Sequence, residues 1–373
     1  MKVSILQENL AHAVAVASRS ASSKASLPVL KHVLLATESG RLRVAATNLK
    51  IGLTYVVGAK VEEEGSLAVP ARVLQDLVGS LAPGKVELTV TKGSLNLKAA
   101  DVEANIAGID GSEFPAIPDF REEGSVAIPA GILSGAVAEV SYAAAADDGR
   151  PILTGLFWRA QDGVMELVAT DGYRLAQKRM DMAVEKGWQV VAPARALSEV
   201  GKIVSELASK GESLDEVRVA LSEGENQISF RLGNIVVTSR LLEGQYPPFG
   251  NIIPKDFAVR GIFDKAKLVQ SLRLAAVFAR DIGAVVKLGV NDSGMEISAN
   301  TVQLGDERTR LDGEVSGEPI EVAFNSRYLL DVLGHLGGAQ VSFEIKSNLS
   351  PGVFRSVGDE SLLTLVMPVR QQG

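Results

Sequence analysis

One segment of the chain has the spacing of a phosphate-binding loop. Residues 79–86 read GSLAPGKV, so the glycines and Lys85 fit the pattern, but Val86 stands where a magnesium-binding hydroxyl is required. A phosphate-binding loop follows a strand and opens a helix, whereas this segment follows a predicted helix and precedes a predicted strand. We therefore predict that residues 79–86 form a helix-to-strand turn.

The other residue types that carry catalysis are sparse. His12, His32 and His335 are far apart in the sequence, and none has a metal-ligand spacing such as HExxH. The chain has no cysteine, and it contains neither a GxSxG elbow nor a glycine-rich dinucleotide motif. We therefore predict a protein that is not an enzyme, with no catalytic residue, no metal site and no cofactor.

Three segments share the pattern of a helix start. Each has a basic residue near its beginning, an aliphatic residue two positions later and an acid four positions later. The segments are PARVLQDL from Pro70, PARALSEV from Pro193 and NSRYLLDV from Asn325, at offsets of 123 (193 − 70) and 132 (325 − 193) residues. This period is too long for a solenoid repeat. It predicts three copies of one domain.

A strand that ends in a short polar turn also recurs in each copy, at Asn48, Asp171 and Asn300. Asp171 by itself could be a catalytic acid, but its two counterparts are amides, which predicts that all three side chains cap a turn. A turn of glycine, one or two further residues, an aromatic residue and proline occurs late in the first two copies, at residues 111–115 (one residue longer) and 244–247. The common order of these features supports the triplication.

Composition limits the class of protein. A chain of 373 residues has room for two or three domains, and 46% hydrophobic residues fit a globular protein. No apolar run is long enough to span a membrane, and polar residues interrupt any signal sequence at the N-terminus. The absence of cysteine fits a cytoplasmic protein. The net charge of −7 requires that any nucleic-acid-binding charge be concentrated on one face.

The hydrophobic pattern predicts two helices in each copy, separated by short strands. The predicted helices are 8–19, 71–81, 130–145, 194–209, 264–279 and 326–336. The strands alternate apolar and polar residues and are too closely spaced for βαβ crossovers, which predicts an α+β fold with antiparallel sheet. We place the domains at residues 1–123, 124–255 and 256–373.

Arg72, Arg195 and Arg327 lie in the first turn of their predicted helices, where the helix dipole disfavours a cation. Each has an acid four residues later, but this basic-before-acidic order is the weaker orientation for a helical ion pair. The repetition of an unfavourable arrangement favours a basic helical surface that faces a polyanion. The alternative is that these are ordinary solvated helix faces.

Four stretches of the sequence resemble the bacterial sliding clamp, the β subunit of DNA polymerase III. They are VPAR at 69–72, VATDGYRLA at 168–176, FN followed by YLLDVL within 324–333, and VMPVR at 366–370. The resemblance extends in order over the whole chain. It implies a head-to-tail homodimer that forms a ring of six similar domains around duplex DNA, with helices lining the hole. It also implies the clamp loader, the replicative polymerase and other clients as partners, without a membrane.

The resemblance and the repeats together imply residues for each surface. Arg72 and Arg195 are DNA-binding candidates from the repeats, and alignment with the family adds Lys24, Arg280 and Lys287. The dimer interface is expected between edge strands of the first and third domains, with Ile106 on one side and Val277 and Phe278 on the other. An open arc of three domains would otherwise leave two sheet edges unpaired.

The family also binds short client peptides in a groove between its second and third domains. The positions implied here are Arg150, Leu153, Thr170, Gly172, Tyr173, Arg174, Leu175, Pro247, Asn325, Tyr328, Met367, Pro368, Val369 and Arg370. Ordinary core packing is the alternative for Leu153, Leu175 and Met367. Tyr173 stands where histidine is common in the family, Asn251 where a basic residue is frequent, and residues 371–373 extend past the usual end, so client preference is left open.

Two other classes of protein fit a triplicated α+β chain. One is an enzyme or metabolite-binding protein that uses clefts between domains, which would require a cluster of titratable residues that the sequence does not offer. The other is a scaffold that binds proteins but not DNA. Native mass and retention on circular DNA distinguish these classes from a clamp.

Overall fold

The computed structural model describes residues 1–22, 27–147, 149–182, 184, 187–224, 226–280, 283–301 and 305–370. Over these residues the α-helices are α1 (Gln7–Ser18), α2 (Ala71–Ser80), α3 (Ala130–Ser141), α4 (Ala194–Ser209), α5 (Lys265–Phe278) and α6 (Ser326–His335). None of the helices in the described ranges is long and apolar enough to cross a lipid bilayer.

The six helices confirm the helix predictions, with one clear difference at the end of α3. The prediction extended this helix to residue 145, but α3 ends at Ser141. The amide of Ala143 donates to the Val140 carbonyl and that of Ala144 to the Ser141 carbonyl, which tightens the last turn. The amide of Ala145 then donates to the Leu153 carbonyl, outside the helix.

The strands are short and lie before, between and after the two helices of each copy. They are β1 (Lys2–Leu6), β2 (His32–Glu38), β3 (Arg41–Thr47), β4 (Ile51–Val57), β5 (Lys60–Glu63), β6 (Ser66–Pro70), β7 (Lys85–Thr91), β8 (Ser94–Ala99), β9 (Val102–Ala107), β10 (Ile109–Asp110), β11 (Val126–Pro129), β12 (Gly155–Gln161), β13 (Val164–Thr170), β14 (Arg174–Asp181), β15 (Trp188–Pro193), β16 (Glu216–Leu221), β17 (Gln227–Leu232), β18 (Ile235–Arg240), β19 (Val259–Asp264), β20 (Val285–Asn291), β21 (Gly294–Thr301), β22 (Gly305–Leu311), β23 (Glu314–Gly317), β24 (Ile320–Asn325), β25 (Gln340–Ile345), β26 (Gly352–Ser356) and β27 (Leu362–Val366). Because α2 ends at Ser80 and β7 begins at Lys85, residues 79–86 form the predicted helix-to-strand turn.

Antiparallel pairing joins these strands into four sheets in the described part of the chain. The strand orders are β5-β1-β7-β8-β9, β10-β6-β2-β3-β4-β18-β17-β16-β11, β15-β12-β13-β14-β27-β26-β25-β19-β23 and β22-β21-β20-β24. The ladders pair, for example, Val237 with Leu53 and Leu365 with Leu175. The predicted α+β class with antiparallel sheet is confirmed.

The chain divides into two compact units. The first unit contains Met1–Ser134 and Glu199–Leu241, and the second contains Gly135–Ser198 and the chain from Leu242 onwards. The cut differs from the three predicted domains because each nine-stranded sheet combines strands of two successive copies, through the pairing of β4 with β18 and of β14 with β27. The three-domain division at 123/124 and 255/256 stays a prediction.

In the first unit, helices α1 and α2 pack on the sheets through regularly spaced apolar residues. Leu10 and Val14 of α1 and Leu74 and Val78 of α2 are fully buried in one apolar cluster with strand residues of the first copy. The spacing of four residues within each pair places both side chains on one helix face. This cluster fixes the start of α2, where Arg72 lies.

In the second unit, a smaller apolar cluster lies beside the turn between β13 and β14. It includes Leu153, Val168, Leu175, Tyr246 and Leu365, all of which are buried. Leu175 and Leu365 are neighbours across the β14–β27 ladder. The cluster therefore ties the last strand of the chain to the turn that carries the predicted site residues.

Candidate functional site

The turn between β13 and β14 is held by its own first two side chains. The Thr170 hydroxyl donates to the Arg174 carbonyl at 2.6 Å and accepts from the Gly172 amide at 3.0 Å. Asp171 Oδ1 accepts from the amides of Tyr173 and Arg174 at 2.9 and 3.0 Å. Asp171 is thus a turn cap, as predicted, and its carboxylate is occupied by structural hydrogen bonds.

The turn between β3 and β4 repeats this arrangement in the first copy. The Thr47 hydroxyl donates to the Ile51 carbonyl at 3.0 Å, and Asn48 Oδ1 accepts from the amides of Lys50 and Ile51. The capping prediction for Asn48 is therefore also confirmed. Asn300 lies near the end of β21, next to residues 302–304, which are outside the described ranges.

The conformation at the tip of the second turn favours a glycine, Gly172. Its φ of +89° lies in the left-handed region, and a Cβ at this position would come within 2.5 Å of Arg150 Nη1. Arg150 occupies that space because its guanidinium donates to the carbonyl oxygen of Asp171. The two predicted site residues Arg150 and Gly172 are therefore in direct contact.

Arg174 connects the turn to helix α6. Its Nε donates to Asp171 Oδ2 at 3.0 Å, and its Nη1 donates to Asp331 of α6. Its guanidinium carbon also lies 4.9 Å from the centre of the Tyr328 ring, within cation–π distance. The Tyr328 ring is nearly parallel to that of Tyr173, at 6.0 Å and 17°. The charge of Arg174 is thus matched by two carboxylates and shielded by aromatic rings.

The C-terminal tail runs along the same turn. Strand β27 ends at Val366, and the next amide, that of Met367, donates to the Tyr173 carbonyl at 2.7 Å. Pro368 has no amide hydrogen and cannot continue the ladder. The amide of Val369 then donates to the Ala323 carbonyl of β24 at 2.8 Å. Residues 367–369 are half-buried and Arg370 is exposed.

The apolar floor of this region consists of buried residues. Leu153 is 3% exposed and Leu175 is fully buried, whereas Met367 is half-buried and packs against the same cluster. Their burial fits the alternative of core packing for Leu153 and Leu175, and Met367 is the more accessible of the three. We call the turn 170–174, the tail 367–370 and this floor the turn-and-tail site.

The remaining predicted residues of the site lie around it. Pro247 is exposed and follows Tyr246, whose hydroxyl accepts from the Thr170 amide at 3.1 Å. Asn325 caps helix α6 by accepting from the Arg327 amide at 2.9 Å, and its Nδ2 donates to the Gly283 carbonyl. The side chain of Asn325 is therefore engaged in hydrogen bonds within the chain, whereas the apolar ring of Pro247 is exposed to solvent.

The sequence reasoning missed several residues that build the site. Burial raises the pKa of the Tyr246 phenol and so favours the neutral hydroxyl. This hydroxyl accepts a hydrogen bond from the Thr170 amide. The repeated turn of glycine, an aromatic residue and proline indicated the position of Tyr246 but did not indicate its contact with Thr170. Asp331 follows Arg327 by four residues, the spacing of a weak helical ion pair, whereas in the structure it pairs with Arg174. Tyr142 also contacts Arg174, and His335 stacks on Tyr142. No sequence pattern indicated either residue.

The three repeated arginines lie at the second position of their helices and are exposed. Arg72 makes a long contact of 3.8 Å with Asp76. The acid that follows Arg195, Glu199, pairs with Lys202 at 2.9 Å and approaches Arg19 at 3.8 Å. The acid partners of Arg195 and Arg327 are thus engaged elsewhere, which leaves these guanidinium groups available.

The other DNA-binding candidates have different locations. Arg280 is exposed and lies two residues after the end of α5. Lys287 lies on β20 and alternates with the buried Val286 and Leu288, so its side chain points to the opposite face of the sheet, where it pairs with Glu321 at 3.3 Å. Lys287 is therefore not part of a helical surface. Lys24 lies outside the described residues.

The predicted dimer residues lie on the edge strand of one sheet and at the end of one helix. Ile106 is on β9, which is the last strand of its sheet, but its side chain is only 6% exposed because it packs into the core of the first unit. Val277 and Phe278 are the last residues of helix α5 and do not lie on an edge strand, so that part of the prediction is wrong; Val277 is 47% exposed and Phe278 is half-buried. The described residues contain no group of three or more histidine, cysteine or acidic side chains positioned to hold a metal ion.

The fold is that of a DNA clamp. The chain superposes on the DNA polymerase sliding clamp from Bacillus subtilis with a TM-score of 0.94 and 26% identity, and on that from Pseudomonas aeruginosa with 0.92 and 26%, with full coverage of both chains in each case. It is 30% identical over 379 residues to the beta sliding clamp of Synechococcus elongatus, covering 99% of each sequence. It is 26% identical over 362 residues to that of Staphylococcus aureus, covering 94% of each.

Family profiles locate the match along the sequence. The N-terminal, central and C-terminal domains of the DNA polymerase III beta subunit match residues 1–118, 127–248 and 250–370. The chain therefore belongs to the family of the DNA polymerase III beta subunit, the sliding clamp. This family is a non-catalytic processivity factor, so the chain is not an enzyme.

Proposed function

We propose that two copies of this chain assemble head to tail into a ring that encircles duplex DNA and tethers the replicative polymerase. The single observation that carries this proposal is the likeness to sliding clamps over the full length of the chain. A clamp requires no catalytic group, which agrees with the structural role of Asp171. The clamp loader and other clients would bind the same ring, and the protein would act in the cytoplasm, where the bacterial chromosome lies.

The exposed arginines at Arg72, Arg195 and Arg280 are our candidates for contacts with DNA. Contacts with phosphates carry no sequence information, so a ring that uses them can slide along any duplex. Lys24 and Lys287 stay candidates from the family alignment alone. Binding that releases counterions weakens steeply as the salt concentration increases. Each lost phosphate contact makes the negative slope of the logarithm of the binding constant against the logarithm of the salt concentration shallower by about one.

The test of the ring is retention on DNA of different topology. We expect a native mass of about twice 39.3 kDa. We also expect that the protein, loaded by its clamp loader onto nicked circular DNA, is retained and is released when the circle is cut. A monomer, or equal retention on linear and circular DNA, would contradict the ring.

The salt dependence of binding tests the DNA surface separately. We expect that Arg72→Gln, Arg195→Gln and Arg280→Gln each reduce the salt slope, without any change in sequence preference. Arg121→Gln is the matched control, because Arg121 is an arginine outside the helices that pairs with Glu223 at 2.6 Å. If the Arg72, Arg195 and Arg280 variants have the same salt slope as the wild type, these residues are not part of the DNA-binding surface.

The turn-and-tail site is our candidate for the binding of client peptides. The half-buried Met367, Pro368 and Val369 and the exposed Tyr173 and Pro247 offer apolar surface to an anchor residue, while the turn offers polar groups to orient a backbone. Peptides with a glutamine and spaced leucine or phenylalanine residues should bind with micromolar affinity, about −8 kcal/mol. Tyr173 and Asn251 would then set the client preference.

A further inference from the structure

Tyr142 is a half-buried tyrosine next to the turn-and-tail site, and its hydroxyl oxygen is buried. It follows the last residue of α3, its phenol pKa is raised by burial, and its hydroxyl has no hydrogen-bond partner among the described residues. A buried hydroxyl without a partner is unfavourable relative to a phenylalanine of the same shape. The ring of Tyr142, rather than its hydroxyl, must therefore be what this position requires.

The Tyr142 ring is packed between two other groups of the second unit. On one side it is stacked on His335 of α6, with centroids 4.1 Å apart and an angle of 11° between the rings. His335 is itself fixed, since its Nδ1 lies 2.7 Å from the Asp331 carbonyl. The Tyr142 ring also lies 5.4 Å from the guanidinium carbon of Arg174. The ring thus joins helix α6 to the turn between β13 and β14.

Arg174 continues this arrangement towards the surface. Its side chain is only 12% exposed, and a guanidinium shielded from water gains more from an aromatic face than an exposed one does. Arg174 in turn contacts Tyr328, which stacks on Tyr173, a residue that is 57% exposed. We call His335, Tyr142, Arg174, Tyr328 and Tyr173 the aromatic–arginine stack.

We propose that Tyr142 and His335 are positioning residues for peptide binding at the turn-and-tail site. They hold the Arg174 guanidinium in place, and Arg174 holds Tyr328 and the turn that carries Tyr173. The inference rests on the proposed peptide-binding function of this site. It assigns a positioning role in peptide binding to two residues that lie behind the surface and need not touch the peptide.

The proposal is tested by peptide affinity in the full-length dimer. The probe is a fluorescein-labelled synthetic peptide with one glutamine and spaced leucine and phenylalanine residues. We expect Tyr142→Leu to weaken binding by up to about five- to thirtyfold, because loss of one desolvated cation–π contact can lower the population of correctly placed Arg174 by at most that ratio. Tyr142→Phe should restore most of the affinity because it keeps the ring. His335→Ala, which removes a half-buried side chain, is the second variant if Tyr142→Leu does not fold.

Tyr55→Leu is the matched control. Tyr55 forms another tyrosine–histidine pair, with His12 at 5.4 Å, but in the first unit. We expect this variant to lose thermal stability without losing peptide affinity. If it weakens peptide binding as much as Tyr142→Leu does, the effect is general destabilisation and the positioning role is wrong.

A double-mutant cycle with Arg174 separates a positioning role from a packing role. If Tyr142 acts through Arg174, then Tyr142→Leu has little further effect on affinity in an Arg174→Ala background. Additive losses, or an unchanged affinity for Tyr142→Leu and His335→Ala, would overturn the proposal. Failure of the wild-type dimer to bind the peptide would instead reject the peptide-binding function itself.

Discussion

Side chains at the same two positions build the turn in the first and second copies, but the residues at the tips of the turns differ. Thr47 with Asn48 and Thr170 with Asp171 make equivalent hydrogen bonds. The next residue is Leu49 in the first copy, at φ +70°, and Gly172 in the second, at φ +89°. Both positions have a left-handed conformation, and in the second the Arg150 guanidinium lies where a Cβ would be. The common turn is therefore a scaffold, to which the second copy adds the contact with Arg150.

Replacement of Gly172 by alanine should disturb this contact. The left-handed conformation by itself costs an alanine about 1–2 kcal/mol, and the new Cβ would also displace Arg150 from the Asp171 carbonyl. We expect Gly172→Ala to lower both the thermal midpoint and the affinity for the client peptide. The measurements are calorimetry and fluorescence anisotropy.

Gly163→Ala isolates the backbone effect. Gly163 has a φ of +77°, but a Cβ there would meet open space. We expect this variant to lose stability while its peptide affinity stays at the wild-type value. Equal affinities for the two variants would show that the position of Arg150 does not matter for the site.

His12 gives the first unit a dependence on pH. Burial lowers the pKa of His12 below its ordinary value of 6.5, with Lys210 as a further cause. The unfolded chain therefore takes up the proton first as the pH falls below about 6.5, and stability is lost from there down to the folded pKa. Above this window both states are neutral, and His12 makes no contribution.

The expected outcome is a difference between variants in acid. The thermal midpoint of His12→Gln should fall less than that of the wild type between pH 7 and pH 5. His32→Gln controls for the loss of a histidine as such. If acidification lowers the midpoints of wild type and His12→Gln equally, burial of His12 does not contribute to the pH dependence.

At the scale of elements, the last strand and the tail have separate roles. β27 is held in its sheet by pairing with β14 and β26, whereas residues 367–370 follow the ladder and contact the turn and β24. Pro368 separates the two segments because it cannot donate to a ladder. The tail can therefore be removed without loss of a paired strand.

Deletion of residues 367–373 should abolish peptide binding while the dimer and DNA retention persist. The peptide would lose the wall formed by Met367, Pro368 and Val369, which are half-buried against the turn and the apolar floor. Deletion of residues 371–373 alone is the matched control and should leave the affinity unchanged. An unaltered affinity after the longer deletion would place the peptide site elsewhere.

At the scale of the whole molecule, the proposed ring depends on contacts between two chains. Ile106 is a poor residue for testing this interface, because its replacement would open a cavity in the core of the first unit. Val277 offers a better test, since it is 47% exposed in the single chain, and Phe278 beside it is half-buried. An exposed apolar helix end of this kind is suited to association.

The double variant Val277→Ala, Phe278→Ala should be monomeric. Loss of two apolar side chains from a dimer interface removes buried area on both partners, and we expect dissociation at nanomolar concentration in analytical ultracentrifugation. Ile132→Ala is the control, because Ile132 is 49% exposed on a different helix, α3. A double variant that stays dimeric, or a control that dissociates as readily, would contradict this assignment.

Much of the fold could be predicted from the sequence. The helices follow from the repeated helix starts and their apolar spacing, and the antiparallel strands follow from alternation and turn residues, because both patterns depend on local periodicity. The order of motifs over the whole chain was sufficient to indicate the family. Asn48 and Asp171 were recognised as caps because capping is a contact between residues two or three positions apart.

The tertiary structure alone decided which distant side chains meet. Asp331 is close to Arg327 in sequence but pairs with Arg174, 157 residues away, and Tyr142 stacks on His335 although neither belongs to a motif. The burial of Ile106 and the opposite orientation of Lys287 on its strand likewise depend on what packs against them. Local patterns determine helices, strands and turns, whereas the partners of a charge or a ring depend on how those elements pack.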